Sequence, residues 1–239
     1  MVVITQRGYS VAVSDCTSSR SRKKAQTRAR IVSVAQQLFA ASGFEAVTIN
    51  EIAAAAQVSV QTVFNHVASK EELFFAERAA WVDGPARAIR TCPAGVQPLD
   101  ALRRHLVSTV EGYARAAVAD RCHRRMIEVL DNCPSLLVYE RSLHEESVSH
   151  LAEALAEAWG YVDDDPSGAG SAVLAEVTAS VWMAAVRSII MGMRSDPPAV
   201  GDDAVVAATV RLTDRVLGDL AGSLSFAETT PVGSTYRVA

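Results

Sequence analysis

Residues 48–73, TINEIAAAAQVSVQTVFNHVASKEEL, place three helix starts in one short segment, and this constrains the chain more than any other feature. Thr48 stands three positions before Glu51, and Ser69 three before Glu72. In that reciprocal cap the hydroxyl accepts from the third amide of the helix while the acid reaches back to the cap. Between them Ser59 can open a short segment from Val60 to His66. Only Gln57-Val58-Ser59 separates that segment from the apolar stripe Ile49, Ile52, Ala53 and Ala56, so the two helices must meet at a sharp angle. Each sign alone is weak; their fixed order specifies a helix-turn-helix. The second helix of such a pair lies in the major groove with its first residues at base edges, and helix termini meet phosphates. Gln61, Thr62, Asn65 and His66 make Val60–His66 polar enough for that position.

Upstream, Ile31, Val34, Ala35, Leu38 and Phe39 form an amphipathic stripe over Gln26–Ser42, and Gly43 ends it. Residues 1–50 hold seven basic side chains (Arg7, Arg20, Arg22, Lys23, Lys24, Arg28, Arg30) against Asp15 and Glu45, in a chain whose formal net charge is -4. A basic end on an acidic body suits a polyanion partner, because Lys and Arg there release counterions from phosphates. Plain solvation of those charges is the alternative reading.

Beyond Ser69 the chain divides into helix-length segments separated by Gly84-Pro85, Pro93 with Gly95 and Pro98, Pro134, Asp163-Asp164-Asp165-Pro166 and Asp196-Pro197-Pro198. No stretch alternates as a strand would. The expectation is an all-α chain: an arm over 1–20, a three-helix DNA-binding domain over 21–68, a larger helical domain over 69–222 and a disordered tail over 223–239. The most apolar segment, Ser171–Met193, contains Glu176 and Arg187, and is read as a buried helix of a soluble bundle. The first residues, MVVITQRGYS, lack the apolar core of a secretory signal. Cysteines 16, 92, 122 and 133 form no CxxC pair, which fits reduced thiols in the cytoplasm rather than disulfides or zinc.

The segment AQQLFAASGFEAVTINEIAAAAQVSVQTVFNHVASKEELF resembles the TetR family of bacterial transcriptional regulators. The shared features are Leu38-Phe39, Gly43-Phe44, Thr48, Ile52-Ala53, Val58-Ser59, Thr62, an aromatic at 64, His66, Lys70 and Leu73. The resemblance implies that Thr48, Thr62, His66 and Lys70 donate to the DNA backbone, and that Val60, Gln61 and Asn65 meet bases. Gln61 suits an adenine edge and Val60 a thymine methyl. Phe64 departs from the usual Tyr, keeping the packing and losing a hydroxyl for phosphate. Gln57 replaces the usual turn glycine, at a cost if its φ is positive. Arg22, Lys23, Lys24 and Arg28 would reach phosphates or an adjacent minor groove.

For the larger domain the resemblance implies a small-molecule pocket and a homodimer. Bulky residues with polar neighbours are the candidate lining: Trp81, His105, Tyr113, Met126, Leu130, Trp182, Met183 and Arg187. They point to a small hydrophobic effector with Arg187 or His105 at its polar group. The dimer face falls on the last two long helices, about 171–194 and 202–221, with Ala175, Ala179, Ala184, Ala185, Ala207 and Ala208 allowing close approach. The function expected is a ligand-released repressor on a pseudo-palindromic operator, with no cofactor, no metal and no membrane partner. The alternative is a helical sensor or adaptor that no longer reads a DNA sequence. Enzyme motifs fail on spacing. His144-Glu145 has Val at 148 and its next His at 150, and Gly168-Ala-Gly170 lacks the third glycine of a dinucleotide loop.

Overall fold

The computed structural model describes residues 12–76, 78–159 and 169–228, and every regular element among them is an α-helix, eleven in all. Residues 1–11, the acidic run 163–165 with Pro166, and residues 229–239 lie outside the described residues. Two compact units divide the chain between Ala76 and Glu77.

The first unit holds α1 (Ala12–Ser42), α2 (Ile49–Ala55), α3 (Val60–Phe64) and α4 (Lys70–Phe74). Helix α1 begins well before the first apolar stripe. Residues 21–26 are exposed, so no core contact left a pattern there, and no Gly or Pro interrupts the run from Val11 to Ser42. Its end is set by Gly43, at φ 83, whose N–H donates to Phe39 O at 2.9 Å. That bond satisfies an orphan carbonyl of the last turn, and its left-handed φ is cheap only for glycine. Below it, Phe39, Phe44 and Phe74 form a triangle of rings with centroids 5.2, 5.8 and 5.9 Å apart. Ile31, Ala35, Ile52, Val63 and Leu73 of the same unit are also buried.

The second unit contains α5 (Arg78–Val82), α6 (Gly84–Arg90), α7 (Pro98–Ala119), α8 (Arg121–Asp131), α9 (Pro134–Ala158), α10 (Ala169–Ser195) and α11 (Asp203–Glu228). Proline sits in the first turn of α6, α7 and α9, where its missing N–H costs nothing. The break between α7 and α8 has neither Gly nor Pro. Asp120 makes it by accepting from Cys122 N at 2.8 Å and His123 N at 3.2 Å, which starts a new helix on the heels of the old one. Helix α11 runs through Gly218 and Gly222 to Glu228, with no proline before Pro231.

Helix α10 packs on α9, α11 on α7, and α6 against both α7 and α9. Leu102, Leu106, Val110, Leu151, Leu155, Trp182, Val186 and Leu217 fill the space between them. By length and composition α10 could cross a membrane. Its Ala175, Ala179, Trp182, Met183, Val186 and Ile190 face is buried in the bundle, while Val173, Val177 and Val181 are exposed. This corrects part of the small-residue expectation: Ala175 and Ala179 are spent on the core of the chain itself and offer no outer face. Ala184, Ala207 and Ala208 remain exposed, and Ala185 is half-buried.

Close packing also explains two glycines. A Cβ on Gly84 would come within 2.7 Å of His105 Nε2, and one on Gly218 within 3.0 Å of the Arg103 guanidinium. Arg103 in turn bonds Asp214 of α11 at 2.8 Å.

Burial is the leading cause of lowered proton affinity at His66, His105, His123 and His144, with nearby Lys24 and Arg28, Arg87, and Arg187 adding to it at His66, His105 and His144 respectively. Below the ordinary imidazole value of 6.5 the unfolded chain therefore binds more protons than the folded one, and stability is lost as pH falls. Glu51 and Glu157 are also lowered, but from 4.5, so they act in a more acid window. The melting temperature is expected to hold above about pH 7 and to drop between about pH 6.5 and about pH 5, as calorimetry at matched ionic strength would record; a flat profile there would contradict this.

Candidate nucleic-acid interface

The connection from α2 to α3 is built from backbone hydrogen bonds. Val58 N donates to Ala53 O at 2.9 Å and Gln57 N to Ala54 O at 3.0 Å. This paired closure requires a left-handed residue directly after the cap, Ala56. Gln57 fills that position at φ 53, the one positive φ on a non-glycine among the described residues. The strain anticipated for Gln57 is therefore present, and the turn forms despite it.

Caps then fix each helix start. Glu51 Oε2 accepts from Thr48 N at 2.7 Å and from the Thr48 hydroxyl at 2.9 Å, while Thr48 Oγ1 accepts from Glu51 N at 3.2 Å. These bonds to Glu51 hold its carboxyl below the usual carboxylate range. The Thr48 hydroxyl hydrogen is thus already placed on Glu51. Ser59 Oγ accepts from Thr62 N at 3.1 Å and lies 2.8 Å from the Thr62 hydroxyl.

Val63 anchors α3, being fully buried. Its opposite face carries Val60, Gln61, Phe64 and Asn65, at spacings that share one side of a helix. Gln61, Phe64 and Asn65 are exposed and Val60 is half-buried. Gln61 Nε2 donates to Asn65 Oδ1 at 3.2 Å, which holds the two amides together on the surface. Phe64 leaves 51% of its area open. The helix itself stops at Phe64; Asn65 is its C-cap and His66 lies in the turn beyond, half-buried, with Nδ1 buried and unpartnered. Burial and the charges of Lys24 and Arg28 keep His66 neutral.

Lys70 has a structural task that the sequence pattern did not reveal. Its Nζ donates to Phe44 O at 2.9 Å and Val47 O at 3.1 Å, and stands 4.2 Å over the Phe44 ring. Two of its three protons thus tie the α1–α2 loop to the start of α4, leaving one for another acceptor. Glu72 acts beside it. Glu72 N donates to Ser69 Oγ at 3.2 Å, its Oε2 accepts from Ala68 N at 2.7 Å, and its Oε1 lies 3.5 Å from Arg28 Nη2. Arg22, Lys23 and Lys24 are exposed on α1, so the basic segment is helical where it is described.

In the second unit the candidate lining residues separate into two groups. Trp182, Met183 and Leu130 are packed core, and His105 is pressed against Gly84. Met126 is half-buried. Trp81 and Arg187 meet at one small cavity, and Tyr113 lines another beside it. Arg194, Asp131, Glu140 and His123 line these same cavities and were not legible as site residues. Their only sequence sign is an arginine near the end of a long apolar helix.

Comparison with known proteins agrees with this geometry. Residues 31–76 match the family model described as bacterial regulatory proteins, tetR family. Over 150 residues the chain is 33% identical to the HTH-type transcriptional regulator TcmR of Streptomyces glaucescens, covering 61% of this chain and 66% of TcmR. The match thus spans just under two thirds of that relative. Among solved structures, NalD of Pseudomonas aeruginosa, the secondary repressor of the MexAB-OprM multidrug efflux pump, superposes with a TM-score of 0.52 at 17% identity, over 81% of this chain and 96% of NalD. A TetR-family protein of Mesorhizobium loti gives 0.54 at 15% identity, over 84% and 97%. These two show a shared fold.

Replacing Gln57 by Gly removes the left-handed strain without touching a side-chain contact, and is expected to stabilise the protein by about 0.5–1 kcal/mol, whereas Gln57→Val should destabilise it by at least as much. Urea unfolding of the three proteins measures this, and equal midpoints would refute it.

Proposed function

We propose that this chain is a member of the tetR family of bacterial regulatory proteins and a DNA-binding transcriptional regulator, most simply a repressor whose operator affinity falls when a small hydrophobic molecule binds its second unit. The observation that carries the reading is α3. It is anchored by Val63 and capped by Ser59, and it presents Val60, Gln61, Phe64 and Asn65 on its free side. That face supplies an amide pair for base edges and apolar groups for thymine methyls. Thr48, Thr62, His66 and Lys70 stand around it as donors to phosphates, with Arg22, Lys23, Lys24 and Arg28 adding charge from α1. Thr48 would have to release its hydroxyl from Glu51 to do so, and Lys70 would use its remaining proton.

The protein acts as a cytoplasmic homodimer in this reading. The outward faces of α10 and α11 meet their copies through Val173, Val177, Val181 and Ala184, with Ala207, Ala208 and Leu212 alongside. Two copies of α3 about 35 Å apart would then follow successive major grooves of a pseudo-palindrome. The effector occupies the second unit near Trp81, Tyr113 and Arg187, and the coupling between the sites is on the order of 1–3 kcal/mol.

Fluorescence anisotropy with DNA from upstream of the protein's own gene, beside a scrambled duplex at two salt concentrations, tests the regulator reading. Selective binding that weakens steeply with salt supports it; equal weak binding to both duplexes favours a sensor without sequence readout. Gln61→Ala should cost about 1–3 kcal/mol on the selected duplex and little on the scrambled one. Phe64→Tyr should strengthen binding to both by about 1 kcal/mol, since it adds a phosphate donor and reads no base. For the dimer, Val177→Glu with Val181→Glu should convert the protein to a folded monomer in sedimentation velocity, and an unchanged dimer would move the interface elsewhere.

A further inference from the structure

Arg194 crosses the interior of the second unit near the end of α10, with only 3% of its side chain exposed. Its Nη1 bonds Glu140 Oε1 of α9 at 2.6 Å, and its Nε bonds Asp131 Oδ1 at the end of α8 at 3.0 Å. Arg194 also lines a cavity of about 100 Å³ against α7 and α8, walled by Tyr113, His123, Ile127, Met193 and Pro197. It lines another of about 20 Å³ against α5 and α9, walled by Trp81, Glu140, His144, Arg187, Ile190 and Met191. Arg194 is the one side chain common to both.

The polar groups here are unevenly served. Glu140 Oε1 is bonded, but its Oε2 is buried and accepts nothing; His123 Nε2 is likewise buried without a partner. A buried carboxylate oxygen with no donor is costly, and such groups in native proteins call for an explanation. Charge is not what is missing. Arg187 and Arg194 stand against Asp131 and Glu140, and burial keeps His123 and His144 neutral and pushes the Tyr113 phenol up to about 12. What Glu140 Oε2 itself lacks is a hydrogen-bond donor.

We propose that the two cavities are halves of one effector chamber parted by the Arg194 side chain, and that the effector is a neutral hydroxylated aromatic molecule whose O–H meets Glu140 Oε2. The inference rests on the ligand-responsive reading above and adds to it the chemistry of the ligand. Trp81, Ile190 and Met191 supply the apolar bed, and Tyr113 and His123 supply further polar contacts on the far side of Arg194. A carboxylic acid is disfavoured, because it would set a third anion beside Asp131 and Glu140 and satisfy no orphan acceptor.

The test uses 2-naphthol and 2-naphthoate as matched probes, titrated calorimetrically into the full-length protein at neutral pH. Wild-type protein should bind 2-naphthol at least about tenfold more tightly than 2-naphthoate. Glu140→Gln keeps an acceptor for Arg194 but turns the orphan atom into an N–H donor, so the preference should reverse by about tenfold or more. Equal affinities in the wild type, no binding of 2-naphthol, or an unchanged preference in a folded Glu140→Gln protein would overturn the proposal. Should Glu140→Gln fail to fold, Met191→Trp fills the smaller cavity from its wall; loss of 2-naphthol binding with an intact melting transition supports the chamber, and retained binding overturns it. No DNA is present in these titrations. A protein that binds 2-naphthol through Glu140 yet keeps its grip on the operator would sink the ligand-released regulator and leave the chamber standing.

Discussion

Two backbone hydrogen bonds, Val58 N to Ala53 O and Gln57 N to Ala54 O, decide where α3 points, and the candidate interface exists only because they close. They force Gln57 into the left-handed region, so the motif accepts a local penalty of about 1–2 kcal/mol in exchange for a fixed turn. What makes that bargain tolerable is the burial around it. Ile52, Ala53 and Ala56 on one side and Val63 on the other are all buried, so the turn cannot relax without exposing both helices. The Phe39, Phe44 and Phe74 rings and the Lys70 ammonium extend the same fixation to the ends of α1 and α4.

The helix-turn-helix was legible because its determinants are local. Caps at Thr48, Ser59 and Ser69 act over three residues, and each was written in the sequence as a hydroxyl at a fixed spacing. Local signals also located the starts of α6, α7 and α9 through proline. They failed where the cause was long-range or unpatterned. Asp120 starts α8 with no breaker beside it, and residues 21–26 of α1 are exposed and so show no apolar period. The burial of Ala175 and Ala179 depends on which side of α10 meets α9, a fact that alanine spacing alone does not encode.

The same division explains the pocket residues. Trp182 and Met183 looked like lining because bulky side chains suit both cores and cavities, and here the core claimed them. Arg194, Asp131 and Glu140 come from three helices and are sequentially remote, so only the folded chain brings them together. A buried ion group of this kind is a poor source of net stability, because desolvation offsets much of the attraction.

Helix α1 carries the basic residues Arg22, Lys23, Lys24 and Arg28 as a rod rather than as a flexible strand. A helix with its side chains is about 10–12 Å across, whereas the minor groove of B-form DNA is about 6 Å wide. While this segment stays wound it is too thick to enter that groove, so on the DNA partner proposed above its guanidinium and ammonium groups would be confined to the phosphate ridges. Their contribution there would be one of adhesion and alignment, indifferent to sequence, and any reading of the minor groove would first have to unwind the rod.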